Sequence, residues 1–105
     1  MLVSELLHLF EEYLTTEKKA SANTVSSYLR DMHQFEAAMA EQELELTELA
    51  VQDVELYVDG LTRKGKSAAT VTRSIASIKS FYKYLTVQTK QLKENPVKDL
   101  DFITA

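Results

Sequence analysis

Apolar residues return every three or four positions through most of this chain, and almost nothing interrupts them. That spacing is the period of an α-helix resting one face on a core. Only two Gly and one Pro occur, so the residues that most often end helices are nearly absent. Four amphipathic helices are predicted. The first runs from about Val3 to Thr16, with Leu6, Leu9, Phe10, Tyr13 and Leu14 inward and His8, Glu11 and Glu12 outward. The second runs from about Ala22 to Glu41 behind Ser21, whose hydroxyl is suited to cap it. Its inner stripe is Val25, Tyr28, Leu29, Met32, Phe35 and Met39, with Glu36 at the edge and expected to reach outward. The third spans about Ala50 to Lys64 over Val51, Val54, Val58 and Leu61, with Gly65 placed to close it. The fourth starts after Ser67 and is expected to reach about Thr89, over Val71, Ile75, Ile78, Tyr82 and Leu85. Asn95-Pro96 blocks continuation. The tail from Val97 to Ala105 has no clear period; it reads as a short helix or the start of a linker. No alternating pattern points to a strand.

A chain of 105 residues suits one domain with one core, and 45% apolar content argues against disorder. The absence of cysteine excludes disulfides and thiolate metal sites. No apolar run approaches the roughly 20 residues of a membrane span, and the start of the chain lacks the basic region of a secretory signal. A cytoplasmic location is expected. The net charge of −4 at first opposes a nucleic-acid partner, but the charges are segregated. Asp31 to Asp59 holds nine acids and no Lys or Arg; Leu61 to Lys93 holds eight bases and no acid. A ligand meets the local field rather than the average. The basic stretch is either a solvated face or the contact for a polyanion.

Two helix faces turned from the predicted core are unusual. On the fourth helix that face holds Ala69, Arg73, Ala76, Ser77, Ser80, Lys83 and Tyr84, and on the second Asn23, Ser26, Ser27, Arg30, Gln34 and Ala37. Short side chains around single cations let a groove wall approach the backbone, as a helix entering a major groove requires. They equally suit packing against another protein helix. Ser21 and Ser67 each precede a Thr three residues on, Thr24 and Thr70, which caps the helix and leaves its N-terminus suited to phosphate. His8 and His33 lie on outer faces without ligand spacing, and the five tyrosines read as core or rim aromatics. No metal cluster, acid pair or phosphate loop stands out, so no cofactor and no catalysis are expected of this chain.

The segment Ser21-x-Asn23-Thr24-x3-Tyr28-x2-Asp31-x3-Phe35 resembles the first signature of the core-binding domain of phage integrases, the tyrosine recombinases. Gly65-x-Ser67-x2-Thr70-x2-Arg73-x4-Ile78-Lys79-x-Phe81-Tyr82-x2-Leu85 resembles the second, and Asn95-Pro96 the close of the domain in Xer-type members. The resemblance runs from about Leu6 to Pro96. It implies an all-α, four- to five-helix orthogonal bundle of SAM-like type, forming half of a C-shaped clamp on duplex DNA at the recombination core site. By resemblance, Asn23, Thr24, Ser27 and Arg30 would contact DNA from the second helix, and Ala69, Thr70, Arg73 and Ser77 from the fourth. The basic stretch and the helix start add Lys66, Ser67 and Lys83. Because Ala69 and Ser77 are short, positioning on the backbone is expected rather than base readout.

Residues 1–96 are thus read as a DNA-binding domain and 97–105 as the start of a linker to a catalytic domain that is absent. The expected partners are duplex DNA and, in a full-length protein, other recombinase protomers; alone the domain is expected to be monomeric and not an enzyme. The alternative is a helical protein-interaction module without a DNA role, and a nuclease is a distant third. The acidic stretch is expected to point away from DNA, and Arg73→Ala to cost little stability because helical projection sets Arg73 opposite the core.

Overall fold

The computed structural model describes residues 3–97. Four helices follow in order: α1 (Val3–Thr16), α2 (Ala22–Glu41), α3 (Val51–Arg63) and α4 (Ala68–Lys83). A 3-10 turn, Leu46–Glu48, precedes α3, and one π-helical turn, Tyr84–Gln88, extends α4. No strand occurs among the described residues.

Local chemistry sets the helix ends. Ser21 and Ser67 cap α2 and α4, each accepting from the backbone N–H of the Thr three residues on at 3.1 Å. The Asp53 carboxylate accepts from the Ala50 N–H at 3.0 Å at the start of α3. At the other end, α2 and α3 close alike: a left-handed residue turns the chain, and the next N–H reaches back to a carbonyl five residues earlier. Gly65 (φ 82°) does this after α3, with Lys66 N–H on Leu61 C=O at 3.1 Å. Glu43 (φ 59°) does it after α2, with Leu44 N–H on Met39 C=O at 2.9 Å. Glycine was expected at the first and is found there; the second is taken by a residue that pays a steric penalty for it.

The inner stripes meet in one core. Phe10 of α1 lies edge-on to Phe81 of α4 (5.4 Å between ring centroids), and Phe35 of α2 edge-on to Tyr57 of α3 (5.0 Å). The expected core lines of all four helices are buried or packed against the buried set. Three expectations are corrected. Tyr84 is not on an outer face: the end of α1 covers it, with Tyr13 and Phe10 at 4.7 and 5.6 Å, and it is 8% exposed. Glu36 does not fully reach outward, since its Oε2 is buried without a hydrogen-bond partner. The fourth helix ends as an α-helix at Lys83, not near Thr89, because the turn after it widens to i+5 bonding, Thr89 N–H to Tyr84 C=O at 3.1 Å.

Two connecting segments, unread from periodicity, complete the core. The 3-10 turn brings in Leu46, and Leu49 follows. After the π turn the chain folds back so that Val97 is buried, steadied by its N–H on Asn95 Oδ1 at 2.9 Å. The core therefore includes one residue past position 96; the segment expected to be linker, from 98 on, lies outside the described residues.

Tyr82 ties the 3-10 turn to α4. Its ring is fully buried, and its hydroxyl donates to the Leu46 carbonyl at 2.8 Å. Burial, and then the nearby Asp53 charge, push its pKa well above the ordinary tyrosine value, so it remains a neutral donor. Tyr82→Phe leaves that carbonyl buried without this partner and is expected to cost about 1–3 kcal/mol, read as a lower midpoint in urea with the helical signal intact. An unchanged midpoint would show that the bond does not hold the turn.

Candidate nucleic-acid interface

Helices α2 and α4 pack against each other: Asp31 meets Arg73 and Ser77, and Phe35 meets Tyr82. The junction is polar. Arg73 donates from Nε to Asp31 Oδ2 at 2.9 Å and from Nη2 to Oδ1 at 3.0 Å, a bidentate pair. The Ser77 hydroxyl lies 2.9 Å from Asp31 Oδ2 and 3.0 Å from the Arg73 carbonyl, two acceptors between which its single proton is shared. Asp31 is 2% exposed, so its charge sits where an unpaired carboxylate would be costly. The hydrogen bonds to Asp31, then its charge, raise the pKa of Arg73 above its already high ordinary value. A guanidinium has five N–H donors; two are engaged here, and the side chain is 38% exposed, so others face solvent.

The two caps are chemically alike. Each Ser hydroxyl donates to the Thr hydroxyl, Ser21 to Thr24 at 2.9 Å and Ser67 to Thr70 at 3.0 Å. Each Thr oxygen thus accepts, and its own O–H is left to donate elsewhere. Asn23, Thr24 and Arg30 on α2 are exposed, and Ser27 is half-buried. Lys66, Ser67 and Ala69 at the start of α4 are exposed, and Thr70 is half-buried. Lys83 is exposed at the other end of α4.

Two of the expected contacts are revised. Ser77 has no exposed surface and its hydroxyl is occupied by Asp31 and Arg73, so it is part of the helix junction and not of the outer face. Arg73 does not stand opposite the core: it lies at the rim, locked to a buried carboxylate, so its replacement is not neutral for the fold. Asp31 likewise departs from the rest of the acidic stretch by pointing into the junction. The exposed acids Glu41, Glu43 and Glu45 lie at the C-terminal end of α2, about 30 Å along the helix from its N-terminus. Projection missed Lys79, exposed one turn before Lys83, and Lys18, exposed after α1. The i,i+4 spacing of Lys79 and Lys83 was a usable signal; Lys18 had none.

The tyrosines with shifted pKa values all move upward: Tyr57 by burial and then Asp31, Tyr82 as above, and Tyr84 by burial, Glu12 and Tyr13. That is opposite to the activation a nucleophilic phenol needs. Among the described residues no group of His, Asp or Glu is arranged to hold a metal ion, and no helix is long and apolar enough to cross a membrane.

Comparison with known proteins places this geometry. The family model described as phage integrase, N-terminal SAM-like domain, matches residues 7–89. Tyrosine recombinase XerC of Bacillus pumilus is 36% identical over 92 residues, 87% of this chain and 30% of that protein. The XerC proteins of Bacillus subtilis and Listeria monocytogenes are 34% and 35% identical over 90% and 83% of this chain. The chain spans about three-tenths of the length of these relatives. No solved structure matches it.

Removing one partner of a fully buried ion pair costs about 3–5 kcal/mol. The Arg73 end is partly solvated, so Arg73→Ala is expected to cost less, about 2–3 kcal/mol, in urea denaturation. A loss below about 0.5 kcal/mol, the range of an ordinary surface change, would show that the pair does not brace α2 against α4.

Proposed function

The chain belongs to the phage integrase N-terminal SAM-like domain family, and on that premise we propose that it is a DNA-gripping module of a site-specific tyrosine recombinase. It holds duplex DNA at the recombination core site and leaves strand cleavage to a separate catalytic domain. The observation that carries this reading is the junction of α2 and α4. There Arg73 is fixed by Asp31 with donors to spare; at the starts of the same two helices Thr24 and Thr70 keep hydroxyls free to donate, and Arg30 on α2 and Lys66 before α4 are exposed. Fixed donors lose little rotamer freedom on meeting phosphate.

Phosphate contact is the mode this face favours. Ala69 carries no hydrogen-bonding side chain and Ser77 is buried, so few side chains on α4 reach base edges. Contacts to the backbone fix register and orientation without reading sequence. Among the described residues the exposed large apolar side chains are Leu56 and Val87, fewer than an apolar protein-interaction surface would present. The proposed partners are duplex DNA and, within a complete recombinase, neighbouring protomers; alone the chain is a cytoplasmic monomer without a cofactor.

Binding is tested by fluorescence anisotropy with a duplex across a salt series. Four cations, Arg30, Lys66, Arg73 and Lys83, give an expected slope of log affinity on log salt of about −3 or steeper. Affinity would then fall about a hundredfold from 50 to 200 mM salt. A nicked suicide duplex should leave no covalent protein–DNA band. Absence of binding at low salt, or binding indifferent to salt, would overturn the proposal.

A further inference from the structure

Ser77 has no exposed surface and reaches no ligand, yet its hydroxyl stands beside Arg73, the cation fixed at the junction of α2 and α4. A guanidinium can meet a carboxylate in two ways. End-on, its two Nη groups take both oxygens and the outer fork between them is spent. Side-on, Nε and Nη2 take the oxygens, and the outer fork of Nη1 and Nη2 stays whole. Arg73 pairs side-on: Nε lies 2.9 Å from Asp31 Oδ2 and Nη2 3.0 Å from Oδ1. Of the five N–H donors of a guanidinium, less the two bonded here, three remain. Two of these form a parallel pair suited to a second oxyanion.

The ion pair alone permits either mode, and the hydroxyl of Ser77 separates them. Its Oγ lies 2.9 Å from Asp31 Oδ2, the oxygen that Nε also takes, and 3.0 Å from the Arg73 carbonyl. Within α4 that carbonyl already has the Ser77 N–H as its helical partner. An ionised carboxylate is also the stronger acceptor, so the hydroxyl proton favours Asp31. Ser77 thereby draws Oδ2 in toward the α4 backbone, one turn from Arg73. Nε is nearer that backbone than either Nη group, so it is Nε that meets the carboxylate there.

We propose that Ser77 is a positioning residue: by holding Asp31 Oδ2 against α4 it keeps Arg73 in the side-on pair, and so leaves the outer fork of the guanidinium open to a phosphate. This rests on the DNA-gripping reading above. Without the hydroxyl the guanidinium can slide to the end-on pair, which satisfies Asp31 as well but spends the fork. The charge facing the duplex is then unchanged, and the geometry that uses it is lost.

The test reads the pair in the free chain and the duplex separately. In a proton–nitrogen correlation spectrum of the wild type, the Arg73 Nε–H should exchange with water at least about tenfold slower than those of Arg30 and Arg63, which are exposed. Ser77→Ala, small and helix-favouring, should remove that protection, with circular dichroism checking the fold. It should also weaken duplex binding at low salt about tenfold, the size of one charge-assisted hydrogen bond. The salt slope should be kept, because no cation is lost. A hydroxyl that only braced the helices would lower the urea midpoint of Ser77→Ala and leave both the exchange and the affinity of the folded chain unchanged. Should Ser77→Ala not fold, Ser77→Cys, which fills the place with a much weaker donor, carries the same readings. An Arg73 Nε–H still protected in the folded variant overturns the proposal whatever its affinity. Protection lost with wild-type affinity kept overturns it too, and leaves the gripping role standing. If the wild type fails to bind at low salt, both fall.

Discussion

The ion pair between Asp31 and Arg73 is the constraint on which the surface of this domain depends. A carboxylate 2% exposed must be matched, and here it accepts two guanidinium bonds and faces a serine hydroxyl. Meeting those bonds fixes both the distance and the register of α2 against α4. It also fixes which way the unused guanidinium donors face. One interaction thus does two things: it closes a polar seam between helices that are otherwise joined by aromatic and aliphatic packing, and it aims a cation outward. Replacing such a pair by apolar residues is often neutral or better for stability, so its stability value alone does not account for it.

Around this junction, the rest of the molecule is conventional packing put to one use. The aromatic contacts of Phe10, Phe35, Phe81 and Tyr82 hold α1 and α3 against the α2–α4 pair. That leaves the outer arc of α4 and the N-terminal half of α2 uncovered. The charge segregation follows from the same arrangement. Bases cluster on α4 and its flanks; exposed acids lie at the far end of α2 and on α3, and also on α1, where Glu11 and Glu12 share a groove with Arg30.

Much of the fold was readable before any coordinates. Helical spacing located all four helices to within a residue or two at most ends, because each carries a strong inner stripe and Ser21, Ser67 and Gly65 mark boundaries with chemistry specific to caps. The site was readable only in part. Asn23, Arg30, Ala69 and Lys83 are exposed as projection had them, and Thr24, Lys66 and Ser67, drawn from the helix starts and the basic stretch, are exposed too. Ser77 and Tyr84 are not, because projection treats a helix as having one neighbour, whereas α4 is flanked by α2 at Ser77 and by α1 at Tyr84. A small polar residue on the border between two covered faces looks the same in sequence as one in water. Asp31 shows the same limit from the other side: an acid in an acid-rich stretch carries no local sign that its partner lies 42 residues away. The 3-10 turn and the return of Val97 to the core depend on tertiary packing that a periodic pattern does not encode.

If Arg73 is at once a brace between helices and a donor to DNA, a double-mutant cycle with two readouts separates the two roles. Asp31→Leu, Arg73→Met and the double variant are compared in urea stability and in duplex affinity at low salt. A favourable stability coupling of about 2 kcal/mol is expected, with the double variant recovering most of what Arg73→Met alone loses. Its duplex affinity should nevertheless stay as weak as that of Arg73→Met. A double variant that regained wild-type affinity along with its stability would show that Arg73 only braces the helices.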